Sequence, residues 1–299
     1  MESVPVTAVP LSTLQLDSGG FAMVALDQRE SMRAMFAEHQ AAPVTDDRLT
    51  SFKVAAGRIL GPHASAVLVD KEFGLDRFVD DEVLGGQTAL IAAADRLSSR
   101  GEEIVADAEL DESVDPFECR DRGVAAMKLL VIYRPDGDQR VRIGMVERFV
   151  QRCRAAGLLS IVEPVSRPPA SGSGTSATTG WDWDAGVLAA AEELGSRGAD
   201  LYKAEVPLHG LGSDDEIRRR CAKLTDLIGS PWVVLSSGVP EDTFAKAVTL
   251  ACCEGASGFL AGRAVWRSCI GRPDVELALR EEAVPRLRHL ADIVADVVG

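Results

Sequence analysis

The 299-residue sequence predicts an α/β protein folded as a single (β/α)₈ TIM barrel. Short, continuously apolar segments alternate with segments of helical periodicity, which is typical of parallel strands covered by helices on both faces. Eight apolar segments of this kind suit a chain of the length usual for that barrel. An open, doubly wound sheet is the alternative, but neither a G-x-G-x-x-G pattern nor a P-loop follows the first strand.

The first half of the chain contains four predicted strands, of which the third is the least regular. They cover residues 21–26, 65–70, 88–92 and 124–133. Helical spacing predicts helices over residues 31–38, 50–60 and 140–156. We interpret the acidic segment 101–116 as a loop with at most some extended structure.

The second half repeats the alternation without a shift in composition, so residues 1–299 are predicted to form one domain with a polar lead at 1–17. Its strands cover residues 158–162, 201–206, 232–235 and 258–262. Its helices cover residues 183–197, 214–228, 241–254 and the segment from about 275 to the end. The Ser/Gly/Thr-rich stretch 170–180 lies between a strand and its helix. We therefore expect residues 166–184 to form a mobile loop on the catalytic face.

Composition limits the classes of partner and cofactor. A net charge of −14 argues against binding to nucleic acid or to an anionic membrane. No apolar run has transmembrane length and the N-terminus lacks the features of a signal peptide, so a cytoplasmic protein is expected. The six cysteines form no C-x-x-C pair and the four histidines are isolated from one another. We therefore expect neither a metal nor another cofactor.

Four ionisable residues interrupt or end the predicted strands: Asp27, Lys128, Glu163 and Lys203. In a barrel of this type the active site is built at the carboxyl ends of the strands, so these side chains should converge there. A set of structural salt bridges is the alternative interpretation. Buried ion pairs stabilise a fold only weakly, so a functional site explains the presence of four ionisable residues better than structural salt bridges do.

Two lysines within buried strands indicate a particular chemistry. Burial and the like charge of Lys128 both lower the pKa of a neighbouring amine. A neutral Lys203 is then able to attack a carbonyl and form a Schiff base, which serves as an electron sink without a metal. Glu163 is suited to move protons while the intermediate loses water.

The turns after the last two strands predict an anion site. They contain hydroxyls, backbone N–H groups and one guanidinium, supplied by Ser236, Ser237, Gly238, Gly262 and Arg263. The corresponding loops of TIM barrels often bind phosphate. Glycine also ends strands for purely structural reasons. The anion site is therefore predicted from the position of these turns and from Arg263.

Seven ordered segments resemble the class I aldolases of the tagatose-bisphosphate aldolase group, and within it most of all the sulfofructosephosphate aldolases. The resemblance runs from about residue 18 to the last helix, through SGGFAMVALDQRESMRAMF, SAVLVDKEFG, AMKLLVIYRPD, IVEPVSRPP, GADLYKAEVP, PWVVLSSGV and GASGFLAGRAVW. It implies a (β/α)₈ barrel and a metal-free retro-aldol cleavage through a Schiff base. It also implies a cytoplasmic lyase that is a homo-oligomer and binds an anionic sugar phosphate.

The resemblance implies roles for individual residues by motif. Lys203 matches the Schiff-base lysine and Glu163 the acid/base, while Lys128 and Asp27 complete the polar cluster. Gln28 is an implied substrate contact, and the SSG and AGR turns match the pocket for a substrate anion. Lys71, in VDKEFG, departs from the sulfofructosephosphate aldolase pattern and is a candidate contact for the far end of the substrate.

The implied reaction, a step of sulfoglycolysis, cleaves 6-deoxy-6-sulfofructose 1-phosphate to dihydroxyacetone phosphate and sulfolactaldehyde. Cleavage of tagatose 1,6-bisphosphate, which carries phosphate at both ends, is an alternative with the same chemistry. A non-catalytic barrel that binds a sugar phosphate is an alternative of another class.

Overall fold

Eight parallel strands close into a barrel in the computed structural model, which describes residues 7–86, 88–170 and 181–299. In chain order the strands are β1 (Phe21–Leu26), β2 (Ala66–Val69), β3 (Ala89–Ala93), β4 (Asp95–Arg100), β5 (Glu103–Leu110), β6 (Val124–Tyr133), β7 (Leu159–Ser166), β8 (Leu201–Glu205), β9 (Trp232–Leu235) and β10 (Gly258–Ala261). The order around the barrel is β1-β10-β9-β8-β7-β6-β3-β2, and β4 and β5 form a separate antiparallel hairpin. The predicted fold class is confirmed.

Closure of the barrel places the carboxyl ends of all eight strands at one mouth. The first strand pairs with its neighbours on both sides, with Met23 beside Ala66 of β2 and Phe21 beside Gly258 of β10. Gly258 has a φ of 136°, and a Cβ at this position would lie 2.0 Å from the Phe21 carbonyl oxygen. Glycine is therefore required where β10 meets β1.

Alternating side chains divide the apolar residues into two clusters. One fills the barrel below its mouth and includes Met23, Leu68, Ile161, Leu201 and Leu260. Residues of the opposite parity point outward and pack against the helices in a larger cluster. Both faces of the strands are thus buried, which explains their unbroken hydrophobic sequences.

The helices form the outer layer; the short ones at 76–80, 116–121 and 263–266 were not predicted, whereas the others lie at predicted positions. They are α1 (Glu30–Ala37), α2 (Asp46–Leu60), α3 (Asp76–Asp80), α4 (Pro116–Asp121), α5 (Gln139–Ala155), α6 (Trp183–Leu194), α7 (Asp214–Leu227), α8 (Phe244–Cys253), α9 (Arg263–Trp266), α10 (Val275–Ala278) and α11 (Val284–Val298). The start of α7 could be predicted from the sequence because Ser213 and Glu216 form a capping box. Among these helices, none combines the length and hydropathy that a membrane crossing requires.

Two expectations need correction. The interpretation of 101–116 as a loop with some extended structure is wrong in its main part, because the hairpin β4–β5 occupies 95–110 and α4 begins at Pro116. The two strands of this hairpin are half-exposed and charged, and an Arg96–Glu109 pair joins them. They therefore lack the apolar run that is typical of the barrel strands. Strand β7 also continues to Ser166, so Glu163 lies within the strand and not after it.

The predicted loop over 166–184 is only partly described. Ser166 ends β7 and Trp183 begins α6. Residues 171–180, which include most of the Ser/Gly/Thr-rich stretch, lie outside the described residues.

Candidate active site

Three neighbouring strands carry the core of the candidate site. Lys128 belongs to β6, Glu163 to β7 and Lys203 to β8, and the pairing register sets Glu163 beside Leu130 and Val162 beside Tyr202. All three side chains point into the barrel above the apolar residues, with 0%, 7% and 3% of their surfaces exposed. They form a polar layer at the mouth of the barrel.

Lys128 is held by three carboxylates. Its Nζ lies 2.7 Å from Asp27 Oδ2, 2.7 Å from Asp95 Oδ2 and 3.2 Å from Glu163 Oε2. Burial alone would lower the pKa of Lys128, but the three carboxylates raise it well above its ordinary value. Conversely, Lys128 and then Lys203 hold the pKa of Asp27 well below its ordinary value, although burial opposes this. Lys128 is thus a permanent cation.

Lys203 has a different set of partners. Its Nζ lies 2.8 Å from Glu163 Oε1, and this is the single ion pair it forms with the described residues. Glu163 therefore bridges the two lysines, one with each carboxylate oxygen. A buried amine in contact with one carboxylate, beside a fixed cation, is the arrangement of a nucleophile with its proton acceptor.

Two residues of the cluster were not predicted from the sequence. Asp95 accepts hydrogen bonds from Lys128, from Leu130 N at 3.0 Å and from Arg29 Nη2 at 3.1 Å. Asp95 follows the apolar run 89–94 as Asp27 follows β1, so its position after a strand was the available signal. Arg29 had no such signal, because it lies in a charged turn.

The predicted anion turns are brought together by Ser236. Its Oγ accepts from Gly262 N at 3.3 Å and from Ala264 N at 3.5 Å, which ties the turn after β9 to the turn after β10. Arg263 Nη2 donates to Ser237 Oγ. Gly238, the third residue of the SSG turn, has a φ of 76° that favours glycine.

The guanidinium of Arg263 lacks a carboxylate partner. Among the described residues, none pairs with it within 4 Å. Burial, followed by the like charge of Arg267, lowers the pKa of Arg263. A largely buried cation that has a hydroxyl but no carboxylate as partner among the described residues is suited to receive an anion from outside.

Gln28 lies beside the same pocket. A Cβ at Gly262 would be 2.9 Å from Gln28 Nε2 and 2.6 Å from the Ala25 carbonyl oxygen, so the turn and Gln28 are in close contact. Gln28 Oε1 is buried without a hydrogen-bond partner among the described residues. This free acceptor is consistent with the expected substrate contact.

Lys71 lies two residues after the end of β2. Its Nζ donates to Ser113 O at 2.6 Å, in an exposed contact. It lines a cavity of about 560 Å³ on the hairpin side of Asp95, together with Arg29. Asp95 lines the same cavity and contacts Lys128, so Lys71 borders the polar cluster, although it makes no hydrogen bond to that cluster among the described residues.

Sets of metal ligands are not found in the described ranges. No group of three or more His, Cys, Asp or Glu side chains there is arranged to hold an ion. Burial raises the pKa of the Cys153 and Cys221 thiols, which keeps them protonated and poor ligands.

Comparisons with known proteins agree with this geometry. The model of the DeoC/LacD family of aldolases matches residues 21–268. The tagatose 1,6-diphosphate aldolase of Listeria monocytogenes serovar 1/2a is 28% identical over 275 residues, which cover 86% of this chain and 80% of the relative. Tagatose 1,6-diphosphate aldolase 1 of Streptococcus pyogenes serotype M3 is 26% identical over 273 residues, covering 84% and 82%.

Solved structures show the same fold at low sequence identity. A fructose-bisphosphate aldolase from Plasmodium falciparum superposes with a TM-score of 0.69 at 14% identity, covering 96% of this chain and 93% of the other. An archaeal fructose-1,6-bisphosphate aldolase, with its catalytic lysine bound to a carbinolamine intermediate, gives 0.61 at 18% identity, covering 96% and 98%.

Proposed function

Because the chain belongs to the DeoC/LacD family of aldolases, we propose that it cleaves a ketose phosphate through a Schiff base on Lys203. Family membership makes the protein a lyase and sets aside the non-catalytic barrel. The observation that carries the proposed mechanism is the contact of the buried Lys203 amine with Glu163, which in turn contacts the permanent cation Lys128.

The first steps form the Schiff base. Glu163 removes a proton from Lys203, and the free amine attacks the C2 carbonyl of the ketose to give a carbinolamine. Glu163, now protonated, returns the proton to the C2 hydroxyl, which leaves as water and produces an iminium ion. The 2.8 Å contact between Lys203 Nζ and Glu163 Oε1 provides the path for these proton transfers.

The iminium ion then draws electrons from the C3–C4 bond. Glu163 accepts the proton of the C4 hydroxyl, the bond breaks, and C4 leaves as an aldehyde while C3 becomes part of an enamine. Protonation at C3 and hydrolysis release dihydroxyacetone phosphate and restore Lys203. Lys128 remains charged throughout and holds Glu163 and Asp27 in place.

For the substrate we propose 6-deoxy-6-sulfofructose 1-phosphate, cleaved to dihydroxyacetone phosphate and sulfolactaldehyde. The sequence segments that resemble the sulfofructosephosphate aldolases support this choice, and several of them carry site residues. In this proposal Arg263 and Ser237 bind the phosphate half. Tagatose 1,6-bisphosphate is the second candidate, favoured by the names of the curated relatives.

Borohydride trapping tests residue, chemistry and substrate together. Reduction in the presence of dihydroxyacetone phosphate should add one triose phosphate to the peptide that contains Lys203, as mapped by mass spectrometry. Lys203→Met should abolish the adduct. A label on Lys128, or on Lys53, the buried lysine of α2 that pairs with Asp70, would refute the assignment. The kcat/KM values for the sulfonated and bisphosphorylated ketoses decide between the two substrates.

A further inference from the structure

We infer that Arg167 binds the second anionic group of the substrate, at the far side of the barrel mouth from Arg263. The inference depends on the proposed function, because it assigns a binding residue to the end of the ketose that leaves with the aldehyde product. Arg167 lies in the segment IVEPVSRPP, but the sequence analysis assigned it no role.

The position of Arg167 suits this role. It directly follows Ser166, the last residue of β7, and has the same parity along the chain as the inward-facing Glu163. Around the barrel, β8 and β9 separate β7 from β10, so Lys203 lies between Arg167 and Arg263. A ketose attached to Lys203 at C2 would extend one end toward each arginine.

The guanidinium of Arg167 is partly exposed and lies within electrostatic range of Arg263. Its side chain is 20% exposed, and it lies 5.5 Å from the centre of the Trp183 ring. After burial and the charge of Arg267, the positive charge of Arg167 also contributes to the lowered pKa of Arg263. The two guanidiniums therefore repel each other across the mouth, as expected of two halves of a site for a doubly anionic ligand.

Arg167 carries a charge that its neighbours do not cancel. Its Nε lies 3.4 Å from Glu103 Oε1, but the same carboxylate is bound by Arg134 Nη2 at 2.7 and 2.6 Å. One carboxylate therefore serves two guanidiniums, which leaves one net positive charge. Glu205 adds little compensation below neutrality, because burial raises its pKa to about 7. Burial lowers the pKa of Arg167 itself, despite both acids.

The cavity around Lys71 is the rival location, and its charge is unsuitable. It is lined by three basic residues, Arg29, Lys71 and Arg96, and by five acidic ones, Glu30, Glu72, Asp76, Asp95 and Asp111. Three positive and five negative charges leave a net charge of −2, which repels a sulfonate or phosphate. We therefore assign the second anion to Arg167 in preference to Lys71.

The test compares ketoses that differ at the far end. Arg167→Ala should lower kcat/KM roughly 30-fold or more for the sulfonated and bisphosphorylated ketose 1-phosphates, because their second anion loses a buried charged partner. A ketose 1-phosphate with an uncharged far end, such as fructose 1-phosphate, should lose far less. Arg263→Ala should impair all three sugars.

A matched control is available on the outer surface. Arg152 on α5 has a side chain that is 23% exposed and pairs with Glu112, so Arg152→Ala makes the same truncation away from the mouth. It should leave kcat/KM unchanged for all three sugars. Borohydride trapping of dihydroxyacetone phosphate, which lacks the second anion, gives a further reference and should proceed normally in Arg167→Ala.

Two results would overturn the inference: an equal effect of Arg167→Ala on all three sugars, or a selective loss in Lys71→Met with none in Arg167→Ala. Failure of the proposed function looks different. In that case the wild-type protein would cleave none of the sugars and would form no trapped adduct.

Discussion

At the scale of single residues, the site depends on two buried lysines that differ in their partners. Lys128 contacts three carboxylates and Lys203 contacts one, which it shares. The expected lowering of a lysine pKa by burial and like charge does not occur at Lys128, because its three carboxylates raise the pKa. One amine is thereby held as a cation, and the other is left as the candidate nucleophile.

Substitution of Glu163 should separate Schiff-base formation from turnover. Glu163→Gln keeps the shape of the side chain but removes the group that is proposed to transfer protons. We expect kcat to fall roughly 10²- to 10⁴-fold, the usual contribution of a general acid–base residue. The borohydride adduct with dihydroxyacetone phosphate should still form on long incubation. An unchanged kcat would exclude Glu163 as the proton carrier.

Glu205 should make stability depend on pH. Burial raises its pKa from 4.5 to about 7, and Ser166 N donates to its Oε2 at 2.6 Å. Between these two pH values the folded protein retains a proton that the unfolded chain releases. The associated stability is therefore fully present below about pH 4.5 and is lost as pH rises through 7, by up to roughly 3 kcal/mol.

The matched variant for this effect is Glu205→Gln, which cannot titrate. Guanidinium unfolding at pH 5 and pH 8 should show that the wild type loses more unfolding free energy than Glu205→Gln over this interval. All other titrating groups are common to the two proteins and cancel in the difference. Parallel losses would show that Glu205 has an ordinary pKa in the folded state.

At the scale of elements, the barrel strands could be predicted because each is buried on both faces. The weakest prediction, residues 88–92, corresponds to β3 at Ala89–Ala93, which is short and rich in alanine. The hairpin β4–β5 could not be predicted in the same way. Its Arg96–Glu109 pair and the turn at Gly101, with a φ of 59°, form a solvated element that leaves no hydrophobic pattern in the sequence.

The β1–β10 seam provides a prediction about an element. Gly258→Ala would force a Cβ to within 2.0 Å of the Phe21 carbonyl oxygen at a φ of 136°, so we expect a loss of about 3 kcal/mol or more in unfolding free energy. Gly144→Ala, on the exposed face of α5 with open space around it, should instead stabilise by about 0.5–1 kcal/mol. Denaturant unfolding of both variants measures the contrast, and similar effects would contradict the requirement for glycine at the seam.

At the scale of the whole molecule, the barrel topology explains how much of the site was accessible to sequence analysis. Residues within apolar strands, such as Lys128 and Lys203, stand out against their neighbours. Arg29 and Arg167 lie in polar turns, where a charged residue is ordinary, and only closure of the barrel brings them to the mouth. Whether these arginines carry an uncompensated charge depends on which carboxylates already pair with other residues. Glu103, for example, already pairs with Arg134, and a sequence does not show such pairing.

The chemistry of the whole site predicts how activity responds to metal removal. In the proposed mechanism the iminium ion on Lys203 is the electron sink, so a Lewis acid has no step to assist. Three acidic side chains at the mouth, Asp27, Asp95 and Glu163, are already paired with Lys128, and Glu163 is also paired with Lys203. Prolonged dialysis against EDTA should therefore leave kcat/KM unchanged. A loss of activity that added zinc restores would assign the protein to metal-dependent chemistry, whereas a loss that zinc does not restore would indicate damage to the protein.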